Sequence, residues 1–317
     1  MVNYYTKVEG RLTELERPGD GCWVNISPPF SQEELEEVAQ HFDLPLDFLT
    51  DSLDIDERSR YEYDEDTDTR LILINTPVLN QMDEENDAIY TTVPIGVILA
   101  ANFIITITSK ENPVLQRFLD EKVKNFNPSA VRLFILQILE HNVYRFLTCL
   151  KKLDLKRNLI EQELYDASRN RELKQLLSIE KSLVYFLNSL NANDLLKMKM
   201  KRTDFLRVRQ DEDLADLFED IIIDNGQALE MANVYNNILS GTMDTYASII
   251  SNNMNVTIHR LTLVTIFLAV PTLIASFYGM NVTIPFADSD YAVYLIVILS
   301  LVISLGMGWY FQRKRLF

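Results

Sequence analysis

One series of residues in this chain has types and a spacing that could do chemistry. Read backward from a Gly-Met-Asn at 279–281, steps of four and three pass through Ser276, Thr272, Ala269, Thr265, Thr262, Ile258, Asn255, Ser251, Ser248 and Asp244. Such steps keep to one face of a helix. The face is small and mostly polar. Its hydroxyls and amides offer oxygen ligands without fixed charge, which suits a divalent cation that gives up its water reluctantly. Neutral oxygens can hold a hydration shell that a ring of carboxylates could grip too tightly to release. Asp244 lies at the water-soluble end, where a carboxylate is tolerable. The same pattern has a second reading. Small and hydroxylated residues at this spacing are also how membrane helices pack closely, and each hydroxyl can bond the carbonyl four residues back.

The element that must carry this face is a membrane span. No charged residue falls between Arg260 and Asp288, and the apolar run 261–278 is about long enough to cross a bilayer core as a helix. A connection, VTIPFADSD, leads to a second apolar run at 291–311, closed by Trp309 and Tyr310 and followed by Arg313, Lys314 and Arg315. Arg260 and that tail flank the spans on one side, so both termini are expected in the cytoplasm and residues 279–290 outside. Two spans cannot enclose a pore, so a conduit requires several copies ringed around an axis.

Upstream, no strong helix breaker stands between Asp211 and Pro271, which predicts one helix from about Glu212 to Tyr278, about 100 Å long. Residues 211–260 are its cytoplasmic stalk and 261–278 its transmembrane part. Residues 111–210 read as helical, with Asn191-Ala192-Asn193 as a tip and Lys197, Lys199, Lys201 and Arg202 as a solvated basic helix end. Residues 1–110 mix helical and β signals. A strand is expected at Cys22–Ser27, a capping box at Ser31–Glu34 opening a helix to about Phe42, and a short helix from Pro45 to about Leu53. Further strands are expected at Leu71–Thr76, at Ala88–Val93, and over Ile95–Thr108 split near Ala101-Asn102. The fold class is therefore α/β (α+β): a cytoplasmic sheet flanked by helices, then the long helix, a second span and a basic tail at 312–317. Acidic runs at 51–68 and at Asp83, Glu84, Glu85 and Asp87 read either as solvated connections or as carboxylates for a divalent cation.

Lys plus Arg number 30 and Asp plus Glu 46, a net charge of −16. That argues against nucleic acid as a partner. The two cysteines, Cys22 and Cys149, are far apart and suggest no disulfide framework or zinc site. The first 20 residues lack a basic stretch before an apolar one, so no signal peptide is expected. No nucleophile–base pair, histidine metal spacing or Walker motif is present, which disfavours an enzyme, an organic cofactor and ATP coupling.

Tyr278-Gly279-Met280-Asn281 at the end of the first of two C-terminal spans, with the basic tail after the second, resembles the CorA family of magnesium transporters. The resemblance covers the whole chain. It implies a funnel-shaped homopentamer in the inner or plasma membrane, in contact with lipid, with five long helices lining the pore. Asn281 would ring the outer mouth and bind hydrated Mg²⁺, with Gly279 and Met280 shaping the turn. Asn255, Ile258, Leu261 and Asp244 fall on positions used along the pore. Asp220 falls where the family places a carboxylate of an intracellular Mg²⁺ sensor, with Asp83 to Asp87 as its possible counterpart. The expected function is passive uptake of Mg²⁺, with Co²⁺ or Ni²⁺ as alternative ions. Zinc transport is a second reading, though the chain has three histidines and no cysteine near the pore. A membrane-anchored sensor or scaffold is a third.

Overall fold

The fold is described from a computed structural model, which describes residues 1–80, 87–100, 103–166, 170–280 and 291–313. It divides into two compact units, Met1–Met243 and Asp244–Phe317.

The first unit is built on a seven-stranded sheet in the order β2-β1-β3-β7-β6-β5-β4. Its strands are β1 (Val2–Val8), β2 (Arg11–Leu15), β3 (Trp23–Ile26), β4 (Arg60–Asp64), β5 (Thr69–Leu79), β6 (Tyr90–Ala100) and β7 (Phe103–Thr108). β3 and β7 run parallel and every other pair is antiparallel. The central strands alternate between two apolar layers. Val24, Leu71, Leu73, Ile98, Ile105 and Ile107 face one core, with α1 (Gln32–Phe42) and α2 (Leu46–Asp51). Trp23, Ile72, Ile74, Val97 and Ile104 face the other, with α3 (Pro113–Leu119), α4 (Val131–Asp166), α5 (Asn170–Thr203) and the start of α6 (Glu212–Tyr278). Period-two side chains buried on both faces are what a sheet between helical layers requires.

Several expected boundaries hold. Ser31 caps α1 with a full capping box to Glu34, and α6 spans 212–278 as the lack of breakers suggested. Other expectations need correction. The stretches expected at Ala88–Val93 and Ile95–Ala100 form one strand, β6, with Pro94 inside it. Pro94 lies opposite Asn75. The backbone of Asn75 turns away to other partners: its N–H donates to Ser59 Oγ (3.1 Å) and Asn193 Oδ1 (3.2 Å). Its carbonyl accepts from Asn142 Nδ2 (3.0 Å) and Asn193 Nδ2 (2.9 Å). No ladder bond to Pro94 is lost, so the proline does not break the strand. For the same reason Asn191-Ala192-Asn193 is not a tip. Asn193 is wholly buried in the middle of α5 and clamps that helix to β5.

Three strands carried too little apolar signal to be anticipated. β1 and β2 form a hairpin through Glu9 and Gly10, both at positive φ (51° and 85°), the geometry of a type I′ turn. β4 lies within the acidic run 51–68 and pairs with β5 from Arg60↔Leu73 to Asp64↔Thr69.

The basic segment at the end of α5 also differs from a solvated helix end. Lys197 is wholly buried and donates to Asn225 Oδ1 on α6 at 2.7 Å. Lys201 pairs with Glu219 of α6. Arg209 donates to the carbonyls of Lys201 and Arg202 at 3.3 and 3.1 Å, which closes the C-terminus of α5.

Candidate ion pathway

The second unit consists of the remainder of α6 and α7 (Ala292–Arg313). Both α6 and α7 contain a window long and apolar enough to cross a membrane, and 6% of each window is buried. Leu261, Leu268, Leu273, Leu301 and Leu305 are all more than half exposed. In water that surface would be costly, and in hydrocarbon it is the expected exterior.

The two helices touch along a defined seam. On α6 the covered residues are Leu263, Ile266, Phe267, Val270, Pro271 and Ile274. On α7 they are Ile296, Ser300, Ser304, Met307, Gly308 and Phe311. The Phe267 and Phe311 rings meet edge to face at 6.1 Å. The small residues on this face of α7 are Ser300, Ser304 and Gly308, spaced four apart, and the Phe267 ring comes close at Gly308. That spacing was visible in the sequence and was overlooked beside the longer series on α6.

The polar series on α6 lies elsewhere. Ser276, Thr272, Ala269, Thr265 and Thr262 are all exposed, as are Leu261, Ile258, Asn255, Ser251, Ser248 and Asp244. At 3.6 residues per turn, the centre of the stripe within the span is roughly 150° around the helix from the centre of the α7 contact. Packing between α6 and α7 therefore does not account for it. The hydroxyls are oriented as their helix dictates. Thr262, Thr265 and Thr272 donate to the carbonyls of Ile258, Leu261 and Leu268 at 2.9, 2.9 and 2.8 Å, and Ser248 donates to that of Asp244 at 3.1 Å. Each hydroxyl spends its proton on its own helix and turns oxygen lone pairs outward. A hydrated cation presents water protons, so such a surface meets it with acceptors. Pro271 interrupts the helical hydrogen bonds within this span without ending α6.

At the end of the span, Gly279 N donates to the Ala275 carbonyl (3.0 Å) and Met280 N to that of Phe277 (3.3 Å), and both residues are exposed. Asn281 lies outside the described residues, as do Asp83, Glu84 and Glu85. Asp87 is half-buried.

Asp220 is exposed on α6 within the first unit. Among the described residues, no group of three or more His, Cys, Asp or Glu side chains is arranged to hold a metal. One turn beyond Asp220, Asp224 stands close enough to Glu140 of α4 that its charge, after burial, raises the Glu140 carboxyl above its ordinary value. This pair of like charges across the α4–α6 contact had no signature in the spacing, because the two residues are brought together only by the fold.

A family model described as CorA-like Mg²⁺ transporter protein matches residues 19–314. The cobalt/magnesium transport protein CorA of Methanocaldococcus jannaschii is 28% identical over 298 residues, 92% of this chain and 90% of that protein. The protein of the same name from Thermotoga maritima is 21% identical over 301 residues, 92% and 82% of the two chains. The complete structure of the CorA magnesium transporter from M. jannaschii superposes with a TM-score of 0.79 at 25% identity, covering 99% of this chain and 98% of that one. With two membrane-length helices and a family match running from the sheet through the second of them, this chain belongs to the CorA-like Mg²⁺ transporter family.

Proposed function

We propose that this chain is one subunit of a homopentameric channel that lets Mg²⁺, and Co²⁺ in its place, enter the cell down the membrane potential. The observation that carries the reading is the stripe of Thr262, Thr265, Ala269, Thr272 and Ser276, which turns away from α7 with its hydroxyl oxygens outward. In a ring of five copies these residues line the axis, continued by Ile258, Leu261, Asn255, Ser251, Ser248 and Asp244. Asn281, beside Gly279 and Met280, binds the hydrated ion at the outer mouth. Entry of a divalent ion is favoured by about 4.6 kcal/mol per 100 mV, twice the single-charge value. The two relatives are named for cobalt and magnesium transport, which supports these ions for this chain, and the stripe has none of the nitrogen or sulfur ligands that zinc prefers.

In the arrangement we favour, residues 1–210 form the cytoplasmic body, 211–260 the stalk, 261–278 and 291–311 the spans, 279–290 the external loop and 312–317 the cytoplasmic tail. Asp220 supplies one carboxylate of an internal Mg²⁺ sensor between subunits, with the segment from Asp83 to Asp87 as its counterpart. The Glu140–Asp224 pair nearby adds repulsion that a bound cation relieves. Binding in the closed state makes high internal Mg²⁺ favour closure, by linkage.

The test is Mg²⁺ flux into vesicles holding the pure protein, with and without Mg²⁺ on the cytoplasmic side. Flux is expected without internal Mg²⁺ and inhibition with it. Asp220→Ala is expected to conduct with weaker inhibition, and unchanged inhibition removes Asp220 from the sensor. Asn281→Ala is expected to lose uptake, and normal uptake removes it from the mouth. A protein that only anchors or scaffolds passes no ion under either condition.

A further inference from the structure

The two sides of the α6–α7 seam are built differently. α7 offers Ser300, Ser304 and Gly308, while α6 offers Leu263 and the ring of Phe267. At Gly308 the approach is close. A Cβ built there would lie 3.1 Å from Cζ and 3.4 Å from Cε1 of Phe267. The ring is backed by Phe311, 6.1 Å away at an interplanar angle of 80°. Gly306, two residues earlier on the same helix, has open space at the equivalent position. Close approach is therefore a property of Gly308 and not of glycine in α7 generally. Phe267 sits between Thr265 and Ala269 in the sequence, on one rigid helix with them.

We propose that Gly308 is a positioning residue for conduction: by admitting the Phe267 ring against the backbone of α7, it sets the rotation at which the α6 stripe faces the pathway. The inference rests on the reading of that stripe as the pathway. A methyl group at Gly308 crowds the ring, and packed side chains respond by shifting together rather than by compressing. With Phe311 behind it, the ring yields in part through a movement of α6, and the stripe turns with it.

The experiment uses the full-length protein in vesicles and two readouts. One is Mg²⁺ flux. The other is labelling, by a membrane-impermeant thiol reagent, of single cysteines introduced in place of Thr265, Ala269 or Leu268. Cys22 and Cys149 are buried and do not compete. In the parent, positions 265 and 269 are expected to label and 268 to label poorly. Gly308→Ala is expected to lower flux by roughly tenfold, a change equivalent to about 1.4 kcal/mol, and to move labelling from 265 and 269 toward 268. Gly306→Ala is expected to change neither. Adding Phe267→Leu to Gly308→Ala is expected to restore the labelling pattern, which a merely structural role at Gly308 would not produce. Unchanged flux and labelling in Gly308→Ala overturn the inference and leave the pathway reading intact. Equal labelling of all three positions in the parent overturns the pathway reading and the inference with it. Should Gly308→Ala not assemble, Phe267→Leu alone is expected to narrow the difference between stripe and position 268, and an unchanged difference overturns the proposal.

Discussion

Ser182 on α5 and Thr262, Thr265 and Thr272 on α6 make the same local bond. Each hydroxyl donates to the carbonyl four residues earlier, at 2.8 or 2.9 Å. In the first unit the oxygen of Ser182 then accepts from the N–H groups of Ile89 (2.9 Å) and Tyr90 (3.1 Å) just where β6 begins. Two turns further along the same helix face, Ser189 donates to Thr92 Oγ1 at 2.8 Å. In the membrane unit the three threonines make no second hydrogen bond among the described residues, and the three residues are exposed. Bonding to the preceding turn uses the donor of a hydroxyl and leaves its acceptors aimed outward. In one unit those acceptors fasten a helix to a strand. In the other they are left facing whatever occupies the space beside α6.

The contrast can be broken most sharply at Ser182. Ser182→Ala leaves two buried N–H groups without an acceptor and is expected to cost about 2–4 kcal/mol, read as a lower midpoint in denaturant unfolding of the detergent-solubilised protein. A loss near zero would show that the oxygen of Ser182 does not anchor α5. A pH-dependent effect, smaller per pH unit, is expected at Lys197, a cation that the first unit buries while the stripe carries none within its span. Burial pushes the Lys197 ammonium down from 10.5 to about 7, against the opposing pull of Asp194. Between those values the unfolded chain holds a proton that the folded chain has released, so stability rises with pH. The slope reaches about 1.4 kcal/mol per pH unit within that window. Lys197→Met is expected to flatten that rise in unfolding midpoints taken from pH 7 to 10, and an unchanged slope would place the titrating group elsewhere. The smallest change in stability belongs to the stripe. Replacing Thr262, Thr265 and Thr272 together by valine keeps the shape, and is expected to shift the unfolding midpoint by less than about 0.5 kcal/mol while reducing Mg²⁺ flux several-fold. A large loss of stability with flux retained would mean that the stripe serves packing and not passage.

Much of this was legible from residue patterns, and the places where it was not share a cause. Signals that live within one helix were read correctly: the capping box at Ser31–Glu34, the uninterrupted run of α6, and the two apolar spans. Signals that depend on a partner were misread. Pro94 looked like a break because its neighbour Asn75 was unknown. Asn193 looked like a turn residue because the strand that its amide binds lies 118 positions away. Lys197 looked solvated because its acceptor, Asn225, is on the next helix. The hairpin of β1 and β2 and the strand β4 were missed because their residues are largely charged or aromatic and only pairing makes them strands.

By itself the sequence determined that a small polar face runs along one helix from Asp244 to Ser276, since helical periodicity is local and needs no neighbour. It left open whether that face packs or stands clear, because either use asks for the same small and hydroxylated residues. The tertiary structure decided that point within the chain. α7 takes the opposite face of α6, through Gly308 and its serines against Leu263 and Phe267. A helix can present only one side to one neighbour, so the polar side is left turned away.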